Sequence, residues 1–275
     1  MKNYLEGKSI VVTGAGGGFG KLTSEKAAAL GARVVCAGRR EENIRAVAEG
    51  IRANGFEAAY VKADVAVKAD MDAMAQFAVK QYGRIDVLVN NAGVMPLAFF
   101  SDHKTAWQAW DRCIDINLKG VVYGISAVYD QMIEQGQGHI INVSSIYGNK
   151  PVVGGSVYQA TKIAERYIAE TLRQEARGKI KVSIISPTGV PDTGLSGSII
   201  NRQSGIGIMG QNMKEAVDYM TDMQNRPELK DREKIGYYFL DPEAIVDSII
   251  YMINQPWGVN ISDMTVRSSG EPFVI

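Results

Sequence analysis

Only two cysteines occur in the 275 residues, Cys36 and Cys113, each inside an apolar segment. That usage speaks against a structural disulfide and for a reduced, cytoplasmic setting. Histidine is as scarce: His103 and His139 leave no ligand cluster for a transition metal, so no metal is expected and both are read as structural or surface residues. An excess of one charge is also missing, because 30 Lys and Arg balance 30 Asp and Glu. No overall field therefore recruits nucleic acid, and no polybasic cluster suggests an anionic membrane. Long apolar runs are absent too. VVCAG and IDVLV fall far short of the ~20 residues that cross a bilayer, and MKNYLEGKSIVVTGAGGG holds no stretch suited to a signal peptide.

What is present is a rhythm. Short β-branched runs at 9–13, 33–37, 57–61, 85–89, 139–143, 181–185 and 259–266 alternate with helical patterns at 21–30, 41–53, 67–82, 105–134, 157–177 and 242–253. The strand runs are continuously apolar rather than alternating, as strands covered on both faces must be. This order predicts an α/β fold: a doubly wound parallel sheet of about seven strands with helices on both faces, residues 1–275 forming one domain.

Residues 189–240 break the rhythm, with the glycine-rich GLSGSIINRQSGIGIMG followed by the helical MKEAVDYMTDMQ. The segment leaves the carboxyl end of a strand, where open α/β sheets bind ligands, and is expected to be a substrate lid. An insertion packed against another subunit is the alternative. Its Ile199, Ile200, Ile206, Ile208, Met209, Met213, Met220 and Met223, with Val94-Met95-Pro96, suit an adaptable apolar cavity. Methionines at helical spacing serve equally as plain core.

The first strand ends in Thr13-Gly14-Ala15-Gly16-Gly17-Gly18-Phe19-Gly20 and runs into a helix. Glycines at Gly14, Gly18 and Gly20 let the backbone turn tightly and approach a pyrophosphate at the positive end of that helix. The spacing is TGxxxGxG, with Phe19 where the common dinucleotide pattern GxGxxG has its third glycine. The second strand ends Gly38-Arg39-Arg40, with no carboxylate to accept the ribose hydroxyls as in NAD-selective sites. Gly38 leaves room for a 2′-phosphate and Arg39 or Arg40 offers it charge-assisted bonds, so NADP(H) is expected over NAD(H). A merely solvated helix start is the alternative.

In Tyr158-Gln159-Ala160-Thr161-Lys162 the tyrosine and lysine lie four apart and share a helical face. A second YxxxK, Tyr4 to Lys8, is read as accidental. Upstream of Tyr158, Asn142-Val143-Ser144-Ser145 places a serine at the carboxyl edge of the fifth strand.

These motifs, with Asp64-Val65, the NNAG of Asn90 to Gly93, Asn117 in DIN and a proline after the sixth strand, come in one order along nearly the whole chain. The sequence resembles the single-domain branch of the short-chain dehydrogenase/reductase family. The resemblance implies a Rossmann-like fold and an oxidoreductase. By it, Asn117, Ser145, Tyr158 and Lys162 form a catalytic tetrad, Asp64 and Val65 meet the adenine, and Asn91 with Ala92 borders the cofactor. Val190 and Thr193 would approach the nicotinamide carboxamide. The run PTGVPDT in place of the family's usual Pro-Gly moves their register, and the family's Val-Asp-Gly-Gly ending is missing. A homodimer or homotetramer through the helices at 105–134 and 157–177 is also implied.

The chemistry explains the pattern. Reducing a carbonyl develops an alkoxide that needs a proton, and Tyr158 is the expected general acid/base. A free phenol ionises near pH 10, and reaching about 7 takes roughly 4 kcal/mol. An ammonium some 4–5 Å away at an effective dielectric near 20 supplies that order of energy, so Lys162 is expected to make Tyr158 acidic. Ser145 would donate to the substrate oxygen; by the resemblance, Asn117 would hold a relaying water. The substrate expected is a carbonyl compound or alcohol, a medium or bulky hydrophobic ketone or secondary alcohol. An NAD-dependent alcohol or dihydrodiol dehydrogenase and a non-catalytic dinucleotide sensor are the competing readings.

Overall fold

The strand segments pair side by side in one direction. A computed structural model describes residues 2–191, 193–222 and 225–275; of the sequence-predicted lid residues, Met223 lies outside them. The chain runs β1 (Ser9–Thr13), α1 (Gly18–Ala29), β2 (Arg33–Gly38), α2 (Glu41–Ala53), β3 (Ala58–Lys62), α3 (Lys68–Tyr82) and β4 (Val87–Asn90). It continues through α4 (His103–Cys113), a π-helical turn (Ile114–Lys119), α5 (Gly120–Glu134), β5 (Gly138–Val143), α6 (Ser156–Glu175) and β6 (Ile180–Pro187). After the glycine-rich segment come α7 (Met213–Asp222), α8 (Pro242–Ile253) and β7 (Asp263–Val266). The seven strands form a parallel sheet in the order β3-β2-β1-β4-β5-β6-β7.

Successive strand residues point to opposite faces, and here both faces are apolar. Ile10, Val12, Val34 and Cys36 pack with α1, α2 and α8 through Ala27, Ile44 and Ile249. Val11, Val35 and Ala37 pack with α3, α5 and α6 through Met71, Val128 and Leu172. That two-sided burial explains the unalternating apolar strands and drives the layered fold. His139, buried on β5, bonds the Ser183 hydroxyl through Nε2 at 2.8 Å, whereas His103 is exposed at the start of α4. No described helix is long and apolar enough to cross a membrane.

Strand addition reverses between β1 and β4, and such reversals open a crevice at the carboxyl ends of the strands. Thr13 fixes it. Its hydroxyl accepts the backbone N–H of Asn91 at 3.0 Å and of Ala92 at 3.1 Å, and donates to the Val89 carbonyl at 3.3 Å.

Candidate active site

A cavity of about 1000 Å³ occupies this crevice, enough for a dinucleotide and a small substrate. One end is lined by Gly14, Gly18, Phe19, Gly38, Arg39 and Arg40, the other by Ser145, Tyr158, Lys162 and Val190, with Val65, Asn91, Ala92 and Thr193 between them. Gly14 (φ +67°) and Gly18 (φ +50°) hold left-handed backbone that side chains resist. Gly20 is off the wall, packed beneath the turn against the Gly14 carbonyl. The Asn91 amide donates to the Thr13 carbonyl at 2.9 Å and to that of Gly14 at 3.5 Å, bracing the turn from below.

Arg39 and Arg40 are exposed at the cavity edge and form no ion pair among the described residues. Asp64 stands off the wall. Its carboxylate accepts Arg112 at 2.6 Å and the Ala66 N–H at 3.0 Å. Burial alone would raise its pKa, but these two donors hold it below the usual carboxylate value.

At the other end α6 carries Tyr158 and Lys162 one turn apart, with the Lys162 Nζ 5.8 Å from the Tyr158 ring centre. Ser145 leaves β5 in extended conformation and accepts the Tyr147 N–H at 3.2 Å, beside the Tyr158 phenol. Tyr147 packs edge-on against Tyr158, centroids 5.6 Å apart. Asn117 sits in the π-helical turn, a feature common at functional sites. Its side chain is turned inward: Oδ1 accepts the Val94 N–H and Nδ2 donates to the Val94 carbonyl, both at 2.9 Å, and Nδ2 also donates to Thr161. It therefore anchors the loop after β4 and does not reach the cavity wall.

The acidity expected of Tyr158 needs correction. Burial raises its pKa, the Lys162 charge and the nearby Ser145 hydroxyl lower it, and the balance lies above the ordinary phenol value. Glu165, a residue the sequence reading passed over, adds to the upward push. Its buried carboxylate accepts Lys162 at 2.9 and 3.3 Å, so the ammonium is paired before it can act alone. The spacing could have revealed it, since 158, 162 and 165 recur on one helical face.

The glycine-rich segment contributes Leu195, Ile199, Ile208 and Met209 to the cavity, while Ile200, Ile206 and Met213 face outward. It is tied down by the Ile200 and Asn201 N–H groups on the Leu97 carbonyl, at 3.1 and 3.0 Å, and by the Val274 N–H on the Ile208 carbonyl at 3.0 Å. Phe273 follows from that last contact as a wall residue, opposite Gly189, where a Cβ would meet its ring at 2.8 Å. The second YxxxK lies elsewhere: the Lys8 ammonium bonds the Ile253 carbonyl and stacks over Trp257.

A family model described as short chain dehydrogenase matches residues 8–204. The chain belongs to the short chain dehydrogenase family. Among its relatives in that family, an uncharacterised oxidoreductase of Listeria monocytogenes is 35% identical over 272 residues, spanning 98% of this chain and 99% of the relative. Of solved structures, the closed form of a serine dehydrogenase complexed with NADP+ is 29% identical with a TM-score of 0.75, over 94% of each chain. A short chain dehydrogenase/reductase from Burkholderia phymatum in complex with NAD is 26% identical with a TM-score of 0.75, over 96% of this chain and 90% of that one.

The residues present fit the dinucleotide such relatives hold. The glycine turn leaves a cradle that a Cβ would enter, since one on Gly17, on the cavity wall, would have no protein atom within 4 Å of it. The Thr188 hydroxyl, buried on the wall, lacks a hydrogen-bond partner.

Proposed function

We propose that this short chain dehydrogenase is an NADP(H)-dependent oxidoreductase acting on a ketone or secondary alcohol. The observation that carries the reading is the shared cavity: a glycine cradle with two unpaired arginines at one end, and Ser145, Tyr158 and Lys162 together on the wall at the other.

The nicotinamide dinucleotide, when bound, supplies the hydride chemistry. Gly14 and Gly18 let the backbone approach its pyrophosphate at the start of α1. Arg39, beside Gly38, would hold the 2′-phosphate, with Arg40 adding to the positive field. Val65, Asn91, Ala92 and Thr193 line the groove between, and Val190 and the free Thr188 hydroxyl border the reactive end. Ser145 donates to the substrate oxygen and so stabilises developing negative charge. Tyr158 holds the proton that this oxygen takes on reduction and receives it back on oxidation. Lys162 sets the field at the phenol, and Asn117 positions the loop that carries Val94. The wall around Tyr158 comes from Leu97, Ile146, Tyr147, Ile208, Met209 and Phe273, which suits a hydrophobic carbonyl compound.

The test is Tyr158→Phe assayed with NADPH and a panel of ketones. Turnover should be lost with NADPH affinity largely kept; more than a few per cent of residual turnover would show that another group moves the proton. A wild-type protein that binds NADPH and never oxidises it with any of the panel would favour a sensor.

A further inference from the structure

The most heavily buried carboxylate of the site is one that the proton chemistry above leaves idle. Glu165 lies on α6 one turn past Lys162, 1% exposed. The Lys162 Nζ donates to both of its oxygens, at 2.9 and 3.3 Å, and to the Val143 carbonyl of β5 at 3.0 Å. Two of the three ammonium hydrogens are thus committed away from the cavity. Electrostatics then changes character: an isolated cation attracts a phenolate strongly, but a cation in contact with an anion presents only the residual field of the pair. The other titratable groups around the phenol are Cys113 from α4 and Tyr147 from the turn after β5, while Ser144 and Ser145 bring hydroxyls from the end of β5. Lys162 is the cation that acts most strongly on Tyr158.

We propose that Glu165 is a positioning residue that clamps Lys162 against β5 and offsets its charge, keeping Tyr158 protonated so that the site favours carbonyl reduction over alcohol oxidation. This rests on the reading of Tyr158 as the proton carrier. The directions of the ionisations agree with it. Burial pushes Glu165 up to about 7, with Lys162 opposing, so the carboxylate is charged through the alkaline range where the phenol would otherwise ionise. The carboxylate in turn raises Tyr158.

Glu165→Gln keeps the shape and a hydrogen-bond acceptor while removing the charge. Phenol ionisation would be read from the ultraviolet difference spectrum between each protein and its Tyr158→Phe counterpart, which needs no substrate. In Glu165→Gln the Tyr158 midpoint should fall by at least one pH unit, about tenfold in the ionisation constant, and the pH optimum of alcohol oxidation should move down with it. Glu165→Asp, which keeps the charge, should stay near wild type. Glu165→Met carries the same expectation if the glutamine variant does not fold. A midpoint that stays put or rises would overturn the role of Glu165. If that happens while Tyr158→Phe is inactive, only this inference falls; an active Tyr158→Phe would bring down both it and the reading beneath it.

Discussion

Gly18 faces the Thr193 carbonyl so closely that a Cβ added at Gly18 would lie 2.8 Å from that oxygen. The contact joins the glycine turn at the start of the chain to the loop after β6, both on the cavity wall. With φ at +50°, Gly18 also occupies backbone space that costs other residues about 1–2 kcal/mol. Gly18→Ala should therefore lower melting temperature slightly and weaken NADPH binding at least tenfold in fluorescence titration. Unaltered affinity would mean that the loop moves aside freely.

Arg39 governs the choice between cofactors if the unpaired guanidinium at the cavity edge meets a 2′-phosphate. Arg39→Asp should reverse the preference, changing the ratio of kcat/KM for NADPH over NADH by a hundredfold or more. A charge-assisted bond plus the repulsion that replaces it supports a change of that order. An unaltered ratio would leave the assignment without support.

Phe273 should set the size of the substrate. Phe273→Ala opens the cavity opposite Gly189 and is expected to raise kcat/KM for bulky ketones relative to small ones several-fold. Dinucleotide affinity should stay within about twofold. Because the ring is half-buried, the cost in stability should be about 2 kcal/mol in urea unfolding. An identical substrate profile would argue that the segment bearing Phe273 does not bound the substrate.

His139 predicts how stability responds to acid. Burial, then the charges of Lys181 and Lys8, hold its pKa well below 6.5. A neutral folded imidazole and an ionisable unfolded one mean that the unfolded chain binds the extra proton. The stability from this group is complete above pH 6.5 and is lost as pH falls below it, by up to about 1.4 kcal/mol per pH unit. Urea unfolding at several pH values between 5 and 8 should show that slope, and His139→Gln should flatten it. Parallel slopes for the two proteins would assign acid sensitivity to other groups.

The sheet was legible because two-sided burial leaves an unmistakable apolar signature, and α2 and α8 fall on the residues their helical patterns indicate. Disagreements arise where side chains take over backbone work. β7 begins at Asp263 rather than Val259, because upstream the Lys181 ammonium caps the Val259 carbonyl and the Asn260 amide bonds the Val182 carbonyl. The run 105–134, periodic throughout, is interrupted by the π-helical turn that seats Asn117 beneath Val94. In the site, the glycine turn and the Tyr158–Lys162 pair were readable from local spacing. Phe273 was not, since only the folded chain carries it back to Gly189. The net acidity of Tyr158 was misread because burial has no local sequence mark and Glu165 entered no motif.

The Thr13 hydroxyl ties the end of β1 to the end of β4 and the residues after it with the protein's own bonds. A coenzyme would meet backbone that these bonds already hold in place and need order little of it on arrival. Its uptake should then resemble a key entering a rigid lock, with selectivity left to the few side chains at the rim.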